Sequence, residues 1–259
     1  MESPKPGDSY VRSFARGLQV IRSFSADAPQ QTLTEVAGRA GLTRAGARRI
    51  LLTLQTLGYV QSDGRLFRLT PRILDLGFAY LSSMPIWNLA EPVMEGLVAQ
   101  VKESCSAAVL DGQDIVYVLR VPTRKLMSIN IGVGSRLPAC FTALGRMLLA
   151  DLPDDALCAQ VGMARAQAPT AWTAPDQDTL LDRILQVRRQ GWCLVDQELE
   201  EGLVSLAAPI HGRDGRTIAA LGVSGHSSRT GADMMLRDVR PLLLEAAQTI
   251  SRTLALQQR

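Results

Sequence analysis

Five arginines stand between residues 44 and 68: Arg44, Arg48 and Arg49, then Arg65 and Arg68. A guanidinium presents a planar fork of donors that fits two oxygens of a phosphate, or O6 and N7 of guanine from the major groove. On a helix, Arg44, Arg48 and Arg49 cluster toward one outward end together with Thr43 and Ala45, and an alanine there can touch a thymine methyl. Taken alone, such a cluster equally fits a solvated helix face. The surrounding segments decide between the two.

Residues 32–69, TLTEVAGRAGLTRAGARRILLTLQTLGYVQSDGRLFRL, read as two short helices, a tight turn and a hairpin. Thr32 and Glu35 form a capping box at the first helix start. Gly41 ends that helix, and Thr43 caps a second one after about four residues, the connection length of a helix-turn-helix. In the second helix Ile50, Leu51, Leu54 and Leu57 recur at helical spacing and are expected to face a core. Asp63-Gly64 then signals a two-residue hairpin between Tyr59-Val60-Gln61 and Leu66–Leu69, with Arg65 and Arg68 set to meet phosphates. This order predicts a winged helix-turn-helix whose second helix enters a major groove, so the expected partner is double-stranded DNA.

Charge distribution agrees. The net charge of +3 says little, but residues 1–85 hold 11 Lys and Arg against 6 Asp and Glu, a net of +5, while the rest hold 17 against 19, a net of −2. Basic character therefore lies with the arginine cluster, as a phosphate-binding surface requires. A chain of 259 residues, 46% hydrophobic and 20% charged, has globular composition and length for two domains. No apolar run reaches the ~20 residues of a membrane span and MESPKPGDSY has no apolar signal core, so no membrane partner and a cytoplasmic location are expected. Cys105, Cys140, Cys158 and Cys193 are far apart, with no C-x-x-C and only two histidines, so no metal or other cofactor is expected. The cysteines read as small buried hydrophobes in a reducing compartment.

The pattern divides the chain into a DNA-binding domain at 10–70, a linker helix at 71–85 and a larger domain at 86–259. Residues 1–9 are polar and expected to be disordered. Phe14, Leu18, Ile21 and Phe24 are spaced as the apolar face of a first helix that completes a three-helix core. Pro71 opens a helix carrying Ile73, Leu74, Leu76 and Tyr80, either a lever and dimer contact or a helix packed on its own domain. Beyond Trp87 strands and helices alternate. Helices fall near 87–103, 142–150, 153–161, 176–190 and 232–257, and strands near 106–110, 115–121, 127–131, 192–195, 203–210 and 217–224. GVGSRLPACF is expected to be loop, and HGRDGR a tight turn. The fold class is α+β, with a sensor-like sheet domain following the winged helix.

From about residue 11 to 255 the chain resembles the IclR family of bacterial transcriptional regulators. The resemblance is carried in order by RSFARGLQVI, the helix-turn-helix core, LTPRILDLG, GSRLPACFTALGRMLLA and DQELEEGLVSLAAPI. TRAGARR and GSRLPACFTALGR are similar to the branch that controls β-ketoadipate and hydroxybenzoate catabolism. Ala45-Gly46 replaces a Ser-Thr pair of many members, which implies different base contacts. The resemblance implies a GAF-like or profilin-like effector domain, a homodimer or dimer of dimers on a palindromic operator, RNA polymerase as a further partner, and a small organic acid as effector. Carried over residue by residue, it places backbone N–H groups of Ala143 and Leu144, an acidic position near Asp196, and Ser205 and Ser224 around that effector. The residues allow this chemistry: Thr142 is a candidate N-cap, and a helix N-terminus suits a carboxylate. Met127, Pro138, Cys140 and Phe141 supply an apolar wall for an aromatic acid. Ser205 and Ser224 can also bond only to backbone. The effector is thus expected to be a hydroxybenzoate-type or β-ketoadipate-type acid, with glyoxylate or pyruvate as the alternative.

No enzyme signature completes itself. GVSGH at 222–226 has His226 where G-x-S-x-G needs glycine, and no acid serves a Ser224–His226 pair. GVGSRL at 132–137 ends in Leu137 and not in the glycine of G-x-G-x-x-G. A hydrolase-like larger domain remains the distant alternative. Asp196, Glu198, Glu200 and Glu201 read as a solvated acidic loop with Asp196 turned inward, a metal cluster being the other reading.

Overall fold

A computed structural model describes residue 7 and residues 10–84, 86–123, 131–164, 170–174 and 176–257. The chain forms two compact units, residues 1–83 and 84–259.

In the first unit α1 (Arg12–Arg22), α2 (Leu33–Arg39) and α3 (Arg44–Thr56) pack around Val20, Val36, Ala47, Leu51 and Leu54. The capping box forms as expected: the Glu35 carboxylate accepts from the Thr32 backbone N–H at 2.7 Å, and Thr32 Oγ1 accepts from the Glu35 N–H at 3.4 Å. The Thr32 backbone N–H and its hydroxyl, which donates to the same carboxylate at 2.8 Å, hold the Glu35 carboxyl below its ordinary pKa. Gly41 follows α2 with φ +64°, and Thr43 Oγ1 caps α3 by accepting from the Gly46 N–H at 3.2 Å. Two expectations fail. Leu57 is 52% exposed because it lies past the last turn of α3, and Phe14, at 68%, lies with Leu18 on a face of α1 that nothing in the unit covers. Val20, outside the expected stripe, is the fully buried residue of α1.

The wing consists of β2 (Val60–Ser62) and β3 (Leu66–Leu69), joined by a strand the sequence did not announce, β1 (Gln31–Thr32), in the order β1-β3-β2. Its reversal is centred on Gly64 and Arg65, one residue later than expected, since the Asp63 N–H donates to the Leu66 carbonyl. Asp63 serves as the turn's side-chain cap: its Oδ1 accepts from the N–H groups of Arg65 and Leu66 at 2.9 and 2.8 Å. A short 3-10 turn at Pro71–Ile73 leads into α4 (Leu74–Ser82), none of whose residues is buried.

The second unit begins with α5 (Ile86–Val101) and centres on a six-stranded antiparallel sheet. In chain order its strands are β4 (Ser104–Asp111), β5 (Asp114–Val121), β6 (Arg136–Pro138), β7 (Cys193–Asp196), β8 (Leu203–His211) and β9 (Thr217–His226), and across the sheet they run β6-β5-β4-β9-β8-β7. β6 lies inside the stretch read as loop, and the strand expected near 127–131 lies mostly outside the described residues. One face of the sheet takes α6 (Ala143–Leu149), with α7 (Asp154–Met163) and α8 (Gln177–Gln190) beyond it. The terminal segment begins with α9 (Ala232–Met234) and a π turn at Met235–Val239 and continues as α10 (Arg240–Gln257), which with α5 covers the opposite face. Cys105, Cys140 and Cys193 are buried thiols, whereas Cys158 on α7 is exposed, so one of the four is no core residue.

Candidate functional site

On the first unit Thr43, Arg44, Ala45, Arg48 and Arg49 are all exposed at the N-terminal end of α3, and Arg65 and Arg68 are exposed on the wing. Ala47, Leu51 and Leu54 fix the opposite side of α3 in the core. Two guanidinium groups at the wing and three at the helix start therefore present donors on a positively charged unit.

In the second unit the first turn of α6 roofs a cavity over the sheet. Its floor carries Ser104 and Ser106 on β4, Arg120 on β5, Ser205 on β8 and Ser224 on β9. Register explains the grouping: Ser224 lies directly opposite both Ser104 and Ser205, and Ser106 opposite both Arg120 and Gly222. One hydroxyl row thus crosses three neighbouring strands on one face. Ser205 Oγ and Ser224 Oγ share a hydrogen bond of 2.9 Å, and Ser104 Oγ accepts from the Thr123 N–H at 3.0 Å. Tyr117 and Arg120 close the β5 side, where burial pushes the Tyr117 phenol up to about 12 against the opposing pull of Arg120. Leu137, Phe141, Leu144, Leu199 and Leu203 supply apolar walls.

The roof depends on backbone contact. Thr142 Oγ1 caps α6 by accepting from the Gly145 N–H at 3.0 Å, leaving the N–H groups of Ala143 and Leu144 without an intrahelical partner. A Cβ at Gly145 would fall 2.1 Å from the Ala139 carbonyl oxygen, and one at Gly222 would fall 2.8 Å from Leu144 Cδ2. Only glycine lets α6 sit this close to the 3-10 turn at Ala139–Phe141 below it and to β9.

The expected effector residues divide. Ala143, Leu144, Ser205 and Ser224 line this cavity together. Asp196 does not: along β7 Val195 faces the cavity, and its neighbour Asp196 lines a second, more open hollow of about 400 Å³ with Trp172, Arg183 and Trp192. Cys140 is packed in the core beside the cavity, its carbonyl accepting from Arg146 Nε at 2.7 Å, and Pro138 is exposed on β6. Met127 lies outside the described residues. Arg120 was not anticipated, because in DIVYVLRV it reads as one polar end of an alternating strand.

The acidic loop is also rearranged. Glu198, not Asp196, is its buried member, at 6% exposure, and it forms a bidentate pair with Arg146 on α6, itself 1% exposed, at 2.8 and 2.6 Å. Arg183 adds a third contact at 2.8 Å. Burial opposes the Arg146 charge most strongly, yet the Glu198 carboxylate together with the neighbouring Cys193 and Cys140 raises the guanidinium pKa on balance. The carboxylate is thus occupied by two cations and clamps the 196–203 segment, whose Leu199 and Leu203 face the cavity, onto α6. Ser224 and His226 have separate partners, Ser205 for the first and Ser228 Oγ, at 2.9 Å from Nδ1, for the second.

Comparison with known proteins bears on the same two units. Residues 13–64 match the IclR helix-turn-helix domain, and residues 78–252 match the bacterial transcriptional regulator IclR C-terminal domain. The chain is 42% identical to the Pca regulon regulatory protein of Pseudomonas putida, over 93% of its own length and 83% of that protein's. A Rhodococcus sp. RHA1 protein solved as a candidate transcriptional regulator superposes with a TM-score of 0.87 at 47% identity, covering 96% of this chain and 100% of that one. A double mutant of the inducer-binding domain of the PobR transcription factor from Acinetobacter, solved with 3-hydroxybenzoic acid, superposes with a TM-score of 0.60 at 28% identity, covering 64% of this chain and 97% of that one. With a helix-turn-helix presenting its arginines, a cavity-bearing sheet domain and both family matches in sequence order, the chain belongs to the IclR family of bacterial transcriptional regulators.

Proposed function

We propose that this regulator controls genes of aromatic-acid catabolism and responds to a hydroxybenzoate-type or β-ketoadipate-type acid bound between α6 and the sheet. The observation that carries the reading is the cavity lined together by Ala143 and Leu144, whose N–H groups have no intrahelical partner, and by the Ser205–Ser224 hydroxyl pair, inside leucine and phenylalanine walls. Such a site offers donors to a carboxylate and apolar area to a ring. Relatives named for the Pca regulon and for p-hydroxybenzoate hydroxylase activation support the same class. On the DNA side Thr43, Arg44, Ala45, Arg48 and Arg49 meet the major groove, and Arg65 and Arg68 meet phosphates. The reading includes a cytoplasmic location, which DNA binding by a bacterial regulator supports.

The reading includes a homodimer on a palindromic operator. Leu74, Leu76, Phe78 and Tyr80 on α4, with Phe14 on α1, form exposed apolar area that a second copy would cover. Ligand then acts by binding one arrangement of the two DNA-binding units more tightly than the other. Chemistry on the ligand has no support here, since Ser224 lacks a base: its hydroxyl is paired with Ser205 and the His226 ring with Ser228.

A second reading, a short aliphatic acid, is favoured by one observation: only about 30 Å³ of the cavity is free for the centre of a water molecule. An aromatic ring would require Leu144, Leu199 or Leu203 to move aside. The test is to recover duplexes retained by the purified protein from fragmented genomic DNA, then measure their affinity with and without each of 4-hydroxybenzoate, protocatechuate and β-ketoadipate. A change of roughly 5- to 150-fold is expected. Equal affinity at saturating acid would contradict the proposal.

A further inference from the structure

Arg120 is the one cation among the described residues that line the α6 cavity, and none of those residues is Asp or Glu. Its Nη1 donates to the Ile131 carbonyl. Its Nε is buried and has no hydrogen-bond partner. In a guanidinium the edge formed by Nε and Nη2 is the fork that a carboxylate fits with two parallel bonds, and the contact to Ile131 leaves that edge uncommitted. A buried donor left unpaired is costly, more so on a charged group, and the cost disappears when an anion arrives. Backbone pairing holds Arg120 in place: it sits opposite Ser106 on β4, one register step from the Ser104–Ser224–Ser205 row.

We propose that the Nε–Nη2 edge of Arg120 receives the carboxylate of the effector and makes the site selective for acids over their neutral analogues. The polar row of serines then reads the remainder of the ligand from the neighbouring strands. This rests on the effector reading above and names the group that gives it acid selectivity, which neither the α6 N–H groups nor the serines can do as strongly, being uncharged.

The test compares 4-hydroxybenzoate with 4-hydroxybenzamide, the same ring with the charge removed, by calorimetric titration of the full chain and of Arg120→Gln and Arg120→Lys. The unsubstituted protein should prefer the acid by roughly tenfold to a hundredfold. Arg120→Gln should bring the two affinities to within about threefold by losing the acid and keeping the amide. Arg120→Lys, which retains a charge without the planar fork, should fall between them and so reports even where the glutamine variant folds poorly. Should Arg120→Gln keep the full acid preference, or Arg120→Lys leave it unaltered, the proposal is wrong while the effector reading stands. Binding of neither compound to the unsubstituted protein overturns the hydroxybenzoate form of the effector reading, and this inference with it.

Discussion

Glu198 holds two guanidinium groups at once, and the cost of removing it follows from burial. Arg146 would be left charged in the interior with the Cys140 carbonyl as its remaining partner in the network. Breaking a buried pair by deleting one member costs about 3–5 kcal/mol. Glu198→Ala should therefore lower the stability of the second unit by about that amount in chemical denaturation. The exposed pair of Arg188 with Asp154 serves as control: Asp154→Ala should cost less than about 1 kcal/mol. Similar losses in the two variants would show that the Glu198 clamp is not what secures the cavity wall. On the DNA-binding unit, Arg48→Ala and Arg49→Ala should each weaken operator binding by about 1–3 kcal/mol without changing stability; unaltered affinity in both would remove this helix from the interface. Thr43, Thr142 and the α3 arginines were legible in the sequence because caps and helix faces are local. Arg120 and the Arg146–Glu198 pair were not. The first depends on which face of β5 is covered, and the second joins residues 52 positions apart.

At the scale of elements, the close seat of α6 decides whether a cavity exists at all. Gly145→Ala would drive a methyl group into the Ala139 backbone, which cannot rotate away as a side chain can, so a loss at or beyond the upper end of roughly 1–3 kcal/mol is expected. Gly96, in the middle of α5 and exposed, has open space around its missing Cβ. Gly96→Ala should raise stability by about 0.4–1 kcal/mol by restricting the unfolded chain. Denaturation midpoints that move in the same direction would contradict this account of how α6 is seated. Helices with caps and long strands could be read ahead of the structure, and the order of elements followed. The two strands that could not, β1 and β6, have two and three residues and owe their form to pairing with β3 and β5. The wing reversal shifted by one residue because Asp63 satisfies backbone N–H groups with its side chain.

For the whole molecule, charge and apolar surface divide the labour between the two units. The net +5 of residues 1–85 lies with the exposed arginines of α3 and the wing, whereas the larger unit carries the cavity. Phe78 on α4 is 69% exposed, an expensive arrangement in water unless another chain covers it. Under the homodimer proposed above, the unsubstituted protein should sediment as a dimer and Phe78→Glu as a monomer with weaker operator binding; a Phe78→Glu dimer would place the subunit contact elsewhere. The sequence left α4 open between packing on its own domain and meeting a partner, because an apolar stripe names no neighbour. The central claim is that the α6 cavity recognises a hydroxybenzoate-type or β-ketoadipate-type acid. Calorimetric titration of the purified protein against 4-hydroxybenzoate, protocatechuate, β-ketoadipate, glyoxylate and pyruvate tests it most directly, and a bound acid at a hundred times its Kd should also stabilise the fold by about 2.7 kcal/mol. Saturable binding of 4-hydroxybenzoate, protocatechuate or β-ketoadipate, one per chain, is the predicted result, and binding of glyoxylate or pyruvate alone, or of none, would contradict it.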